Sequence, residues 1–266
     1  MKNKSFLIMG TAITLLTTGG KAVSSDTLSV STETQFPPMG FIEGGELKGL
    51  NIDLGEALAN RMGIQIDWRR SQFNQFLSDI TTGRSDAVIA GMVDMPERQE
   101  NHTFVDFFET GYQFFTTADV ADSEGIVEIE DFCGLTVAAS RNSSYAAAIN
   151  KWSEDNCEQD HIRVLDTDGS SNALLQLRQG RAQGVMQTTE TISYLAANDK
   201  GITAIGEPIT SDYYGMIVAK NNPELADRLA NALTEMMEDG SYKEILAAWD
   251  LEKQAIDEVT INLESR

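Results

Sequence analysis

Arg98 closes a thirteen-residue stretch, Asp86-Ala-Val-Ile-Ala-Gly-Met-Val-Asp-Met-Pro-Glu-Arg98, whose residue types suit the capture of an anion. Pro96 fits the first position of a helix, with Asp94 or Met95 at the cap and Glu97 adding negative charge to the first turn. Free N–H groups at such a terminus converge with the guanidinium on one spot, where a carboxylate can be gripped bidentately. The alternative is an arginine paired with Glu97 or Glu100 on a solvated helix end, and this stretch alone leaves both open. Upstream, Ala87 to Ala90 is an unbroken apolar run that suits a strand buried on both faces. Gly91 ends it where the backbone turns sharply or approaches something closely.

The elements around this stretch alternate in type. Leu28 and Val30 alternate with polar residues as in a strand, and the paired prolines of Phe36-Pro37-Pro38-Met39 predict an irregular loop. After a Glu43-Gly44-Gly45-Glu46 turn, Asp53 is expected to start a helix with Leu54, Ala57, Leu58 and Met62 on one stripe, closed by Gly63. Ile64, Ile66 and Trp68 alternate as a strand. Ser71 is expected to cap a second helix with Phe73, Phe76, Leu77 and Ile80 on one side. The order β-α-β-α-β implies a mainly parallel sheet with helices on both faces, and ligands bind such sheets outside the carboxyl ends of the strands. Phe104 to Thr117 reads as an extended segment leaving this unit.

A second run repeats the order. Strands are expected at Thr136 to Ala139, Ile162 to Leu165 and Gly184 to Met186, with helices capped by Asn142-Ser143-Ser144 and by Thr188-Thr189. The chain returns with a strand at Tyr214 to Ala219, a long amphipathic helix from Asn222-Pro223 to Gly240, and a final helix that Ser241 caps. Two similar α/β units suggest two lobes with a cleft between them, the geometry of hinge closure on a small ligand.

Composition narrows the function. Of 266 residues 41 are acidic and 20 basic, and the formal charge of −21 argues against nucleic acid and against an anionic membrane surface. Lys2 and Lys4, an apolar stretch from Phe6 to Leu16 and the small-x-small Ala22-Val23-Ser24 read as a secretory signal over residues 1–24. Cys133 and Cys157 in an oxidising compartment point to a disulfide rather than a metal site, with two buried thiols as the alternative. Closing that loop would stabilise the fold by roughly 3 kcal/mol. His102 and His161 stand without clustered ligands, so no metal and no cofactor is expected.

Five segments together resemble one family: Gly49-Leu-Asn-Ile-Asp53-Leu, Gly83-Arg-Ser-Asp86-Ala, Gly91 to Arg98, Tyr214-Gly-Met-Ile-Val and Asp239-Gly-Ser-Tyr-Lys. In this order, from about Leu28 to about Trp249, they resemble the extracellular solute-binding proteins of family 3, the polar amino-acid receptors of bacterial ABC importers. The resemblance implies an α/β, periplasmic-binding-protein-like fold of two α/β lobes with a central ligand cleft. Two hinge crossings are implied, near Glu109 to Gln113 and near Ser211 to Tyr214. One lobe would hold residues 25–110 and 214–266, the other 111–213. It further implies a monomeric periplasmic receptor with a small ligand, an amino acid or related carboxylate, and a membrane ABC permease as partners.

Site roles follow from the same resemblance. Arg98 matches the arginine that clamps the ligand's α-carboxylate. Gly91 and Val93 match positions that offer backbone to the α-ammonium group. Phe36 and Phe73 match an aromatic pair that sandwiches the side chain, with core packing as the plainer role, above all for Phe73 on its helical stripe. Ser143 and Ser144 match residues that complete the carboxylate site, or serve as plain caps. Glu33 matches an acidic position at the ligand's distal end, or is a solvated charge.

Three departures bear on the ligand. Val93 stands where the family has Ser or Thr, Met95 where it has Thr, and Thr188 where it has an Asp that neutralises the α-ammonium group. A bare ammonium in a closed cleft needs a counter-charge or full hydrogen bonding, since burying it unpaired costs several kcal/mol. Either Glu190 or Glu33 substitutes, or the ligand's nitrogen is modified or absent. Arg141 beside the serines can serve a second carboxylate or point to water. Competing functions are an enzyme on the same scaffold, such as a cyclohexadienyl dehydratase, and a sensory module presenting its ligand to a receptor. Enzymatic chemistry needs a general acid or base held in the cleft, and Glu190 or Glu33 can be read that way.

Overall fold

A computed structural model describes residues 27–141 and 143–262. The signal sequence expected over residues 1–24, and Asn142 within a cap, lie outside the described residues. The first unit runs β1 (Thr27–Thr32), β2 (Gln35–Phe36), β3 (Gly40–Glu43), β4 (Glu46–Lys48), α1 (Leu50–Met62), β5 (Gln65–Arg70), α2 (Phe76–Thr81), β6 (Ala87–Val88), α3 (Pro96–Gln99) and β7 (His102–Thr110). The second runs β8 (Tyr112–Thr117), α4 (Ala118–Glu124), β9 (Thr136–Ser140), α5 (Tyr145–Asn156), β10 (Arg163–Thr167), α6 (Ser170–Arg178), β11 (Gly184–Thr188), α7 (Thr189–Asn198) and β12 (Ile202–Ile205). β13 (Asp212–Ala219), α8 (Pro223–Asp239) and α9 (Ser241–Ala247) return to the first.

These strands build two five-stranded sheets of one design. The first is ordered β5-β1-β6-β13-β7 and the second β10-β9-β11-β8-β12, and β2 to β4 form a small third sheet. In each, three parallel strands in second-first-third order are followed by one antiparallel strand and then by an edge strand that pairs antiparallel with it. The chain crosses between the sheets at Gly111 and again between β12 and β13. The crossings lie against each other: Ile209 N–H donates to the Tyr112 carbonyl at 2.7 Å, and Tyr112 N–H to Thr210 Oγ1 at 3.0 Å. Gly111 is required there, because a Cβ would sit 2.4 Å from the Thr210 carbonyl oxygen. The fold is the two-lobed periplasmic-binding-protein architecture.

Several elements differ from expectation for identifiable reasons. α1 begins at Leu50 rather than Asp53, because the Leu50 and Asn51 N–H groups donate to the carbonyls of Pro38 and Met39, both at 2.9 Å. Loop carbonyls thus replace a capping side chain. The second helix is delayed by a 3-10 turn over Phe73–Gln75, and the Ser71 hydroxyl donates to Asp79 Oδ2 at 2.5 Å instead of capping it. The ladder of β6 spans only Ala87–Val88, although all four residues to Ala90 are buried. α3 is a single turn with Met95 at its cap and no side-chain cap bond. Thr188 stands at the cap of α7, but its hydroxyl donates to Thr191 Oγ1 instead. Asn222 and Gly240 bound α8 as expected.

Cys133 and Cys157 are joined in a disulfide at the foot of α5, on the second lobe. Among the described residues no group of His, Cys, Asp and Glu could hold a metal ion, and no helix is long and apolar enough to cross a membrane.

Candidate functional site

The loops that follow the parallel strands of both sheets face one another across a cavity of about 380 Å³. The first lobe contributes the loop after β1 (Glu33 to Phe36), the loop after β5 (Ser71 to Phe73), and Gly91, Val93 and Arg98 after β6. The second contributes Ser140, Arg141 and Ser143 to Tyr145 at and after the end of β9, Asp168 to Ser171 after β10, and Thr188 at the end of β11. Tyr112 and Tyr214, one on each crossing strand, close the back. A volume of this size suits a small-molecule ligand.

Arg98 is half-buried and held from below. Its Nη1 donates to the Val93 carbonyl at 2.6 Å, and its guanidinium lies 5.8 Å from the centre of the Phe73 ring. Among the described residues no ion pair involves it, although Glu97 and Asp94 stand near enough to favour its charged form. Burial lowers its pKa, yet a guanidinium stays protonated. Four donors therefore remain for a ligand after the Val93 bond. The loop that carries it is anchored to the crossing strand: Val93 bridges Tyr214, and Asp94 N–H donates to the Tyr213 carbonyl at 2.8 Å. Phe36 packs on Gly91, where a Cβ would fall 2.5 Å from the ring. That is the close approach expected of Gly91. Phe73, expected on a core-facing stripe, is 38 % exposed and lines the cavity, because the 3-10 turn rotates it out of the stripe that Phe76 and Ile80 keep.

Two carboxylates are buried here, and they are wired differently. Glu33 Oε1 accepts from Asn51 Nδ2 at 2.9 Å and from Gly91 N–H at 3.1 Å, while Oε2 has no partner. Burial is the chief cause that pushes its pKa up to about 8. Glu190 is fully buried and does not line the cavity. Its Oε1 accepts from the Tyr214 hydroxyl at 2.7 Å and its Oε2 from the Thr110 hydroxyl at 2.9 Å. Burial raises its pKa too, against the lowering effect of these hydroxyls. The expectation that Glu190 meets a ligand directly is thus corrected. At the N-terminus of α7 it points away from the cleft, toward the crossing strands β7 and β13.

The second-lobe wall is neutral and rich in hydroxyls. The Ser143 hydroxyl donates to the Ser140 carbonyl at 2.5 Å and accepts from Tyr145 N–H at 3.3 Å, so it serves as a local cap. Ser144 reaches across to Met95 Sδ at 3.8 Å, a contact between the lobes. Arg141, exposed at the rim, pairs with Asp168 at 3.1 Å. Nine of the ten residues expected to bind ligand line the cavity; Glu190 is the exception. Sequence reasoning missed Tyr112, Tyr145 and Tyr214 as wall residues, although Tyr112 and Tyr145 meet edge to face at 4.9 Å. The aromatic richness around the crossing segment was the available signal.

Comparison with known proteins agrees with this geometry. Residues 28–252 match the family described as bacterial extracellular solute-binding proteins, family 3. The arginine-binding protein ArgT of Corynebacterium glutamicum is 28% identical over 240 residues, covering 88% of this chain and 78% of that protein. The L-cystine-binding protein TcyK of Bacillus subtilis is 27% identical over 239 residues, covering 88% and 87%. Among solved structures, an ancestral arginine-binding protein bound to arginine superposes with a TM-score of 0.71 at 31% identity, over 84% of this chain and 97% of that one.

Proposed function

The chain belongs to the bacterial extracellular solute-binding proteins of family 3, and we propose that it is a periplasmic receptor that closes on an amino acid or related small carboxylate and hands it to a membrane ABC permease. The observation that carries this reading is Arg98: an unpaired guanidinium, fixed by a backbone carbonyl, in a cavity between two hinged lobes. A ligand carboxylate supplies the missing counter-charge. Phe36 and Phe73 flank its side chain, Ser143 and Ser144 approach from the second lobe on closure, and the free Oε2 of Glu33 meets the ligand's distal polar end. Residues 1–24 direct export, residues 25–110 with 214–266 and 111–213 form the lobes, and the receptor acts as a monomer without cofactor.

Calorimetry of the mature protein against the twenty L-amino acids and a set of small carboxylates tests this. A dissociation constant below about 100 µM, near −5.5 kcal/mol, is expected for at least one compound, and its absence throughout the panel contradicts the reading.

One observation favours a second reading. Glu33, with its pKa near 8 and one buried oxygen without a hydrogen-bond partner in a residue that lines the cavity, has the character of a general acid. Elimination from a cyclohexadienyl acid would use it. Turnover of arogenate or prephenate supports that reading, and unchanged substrate after long incubation removes it.

A further inference from the structure

We propose that Glu190 is a positioning residue for the ligand's α-nitrogen: without touching ligand, it accepts the hydrogen bond of the Tyr214 hydroxyl and so leaves the phenol oxygen able only to accept, in the wall that Tyr214 contributes to the cleft. The inference rests on the receptor reading above and specifies how the ligand's ammonium group is recognised.

The geometry begins at Arg98. Its anchor, the Val93 carbonyl, belongs to a residue bridged to Tyr214. In an α-amino acid the nitrogen is bonded to the carbon that bears the carboxylate. A carboxylate on Arg98 can place that nitrogen against the wall to which Val93, Tyr214 and Thr188 contribute. The second lobe offers no free carboxylate there: Thr188 is neutral, and Asp168 at the rim is tied to Arg141. An ammonium group left without acceptors would cost several kcal/mol.

Behind that wall stands Glu190, whose two oxygens both accept hydrogen bonds from hydroxyls. Tyr214 donates to Oε1, and Thr110 and, at 3.4 Å, Thr189 donate to Oε2, so three hydroxyl protons are committed to one carboxyl group, with Tyr214 alone on Oε1. A hydroxyl has one proton, and once that is given away its oxygen can only accept. Hydrogen bonds in such a chain also strengthen one another, so the phenol oxygen becomes a better acceptor for a cation. Tyr214 is 1 % exposed and Glu190 fully buried, which shields both from competing water. The carboxylate chemistry is essential. Glutamine at 190 could accept at only one of the two positions, since its amide nitrogen donates.

The test compares wild type, E190Q and Y214F by titration calorimetry. The ligands are the tightest-binding of the twenty L-amino acids and the same molecule without its α-amino group. We expect wild type to prefer the amino acid. E190Q should bind the amino acid about tenfold or more weakly, as for a lost hydrogen bond to a charged group, while its affinity for the deaminated molecule stays within about twofold. Y214F should show the same selective loss, and the double variant no further loss. Equal weakening toward both molecules would assign Glu190 a structural role and overturn the proposal, as would no weakening of either. Equal wild-type affinity for the two molecules also overturns it. Should no amino acid bind wild type, the receptor reading itself fails before any variant is made. If E190Q does not fold by circular dichroism, the selective loss in Y214F decides.

Discussion

The two walls of the cleft bury their acids in opposite ways. On the first lobe Glu33 lines the cavity and keeps one buried oxygen unpartnered; on the second, Glu190 has both oxygens covered by hydroxyls and is withdrawn behind the wall. The first lobe also holds Arg98, so the unpaired charges of the site lie on one side. Opposite them stand serines, a threonine and tyrosines, with the one charged pair, Arg141 and Asp168, closed on itself at the rim. A ligand can thus make its ionic contacts on the open first lobe, and the second lobe adds neutral hydrogen bonds on closure. On the proposed reading, the Gly111 crossing is where such a motion would pivot and the Ser144 contact with Met95 where it would stop.

The largest effect expected from this asymmetry concerns Glu33. Its folded pKa of about 8 lies above the ordinary 4.5, so the native state holds a proton that the unfolded chain releases between those values. Stability therefore falls as pH rises from about 4.5 to 8 and levels off above. Against E33Q, which cannot titrate, wild type should lose on the order of 4 kcal/mol between pH 5 and 9, read from denaturant midpoints at each pH. A constant difference across that range would break the contrast between the two walls. Binding should show the same proton. A ligand with a distal cation should displace about one proton at pH 7, seen as a dependence of the calorimetric heat on the buffer's ionisation enthalpy.

Covalent bracing separates the lobes next, since the described disulfide braces the second alone. Reduction, or replacement of Cys133 and Cys157 by serine, should cost roughly 3 kcal/mol of unfolding free energy, with ligand affinity kept where the lobe still folds. Smaller again is Phe73→Ala. The exposed ring gives little to the core, so stability should stay within about 0.5 kcal/mol while affinity falls several-fold through lost ring contacts. The smallest effect is Arg141→Ala. An exposed pair of this kind contributes about 0 to 1 kcal/mol, so unfolding free energy should fall by no more than that and affinity should stay within about threefold.

Much of the architecture was legible because local signals agree with it. The repeated β-α order, Gly63, Asn222 and Gly240 all sit where the helices begin and end. The stretch ending at Arg98 was legible in part: an apolar run and a glycine at a close approach, which the structure shows to lie against Phe36, while the partner of the guanidinium was left open. What escaped depends on contacts distant in sequence. α1 starts early because carbonyls from the proline loop satisfy its N–H groups. Ser71 serves Asp79 rather than a helix end because the loop folds back on β1, where Ser31 bonds the same carboxylate at 3.0 Å. Glu190 could face either side of the first turn of α7, and only the hydroxyls of β7 and β13 decide which. The tyrosines on the crossing strands were hidden for a similar reason, since which alternate residue faces a cleft is set by strand register.

The central claim is that Arg98 neutralises a small acid held between the lobes. Its most direct test is titration calorimetry of wild type, Arg98→Lys and Arg98→Ala with the best ligand of the panel. Loss of affinity of about 2 to 5 kcal/mol in the alanine variant is expected, with partial retention in lysine, which keeps the charge but not the bidentate fork. Unchanged affinity in Arg98→Ala, in a protein that melts like wild type, would contradict the account.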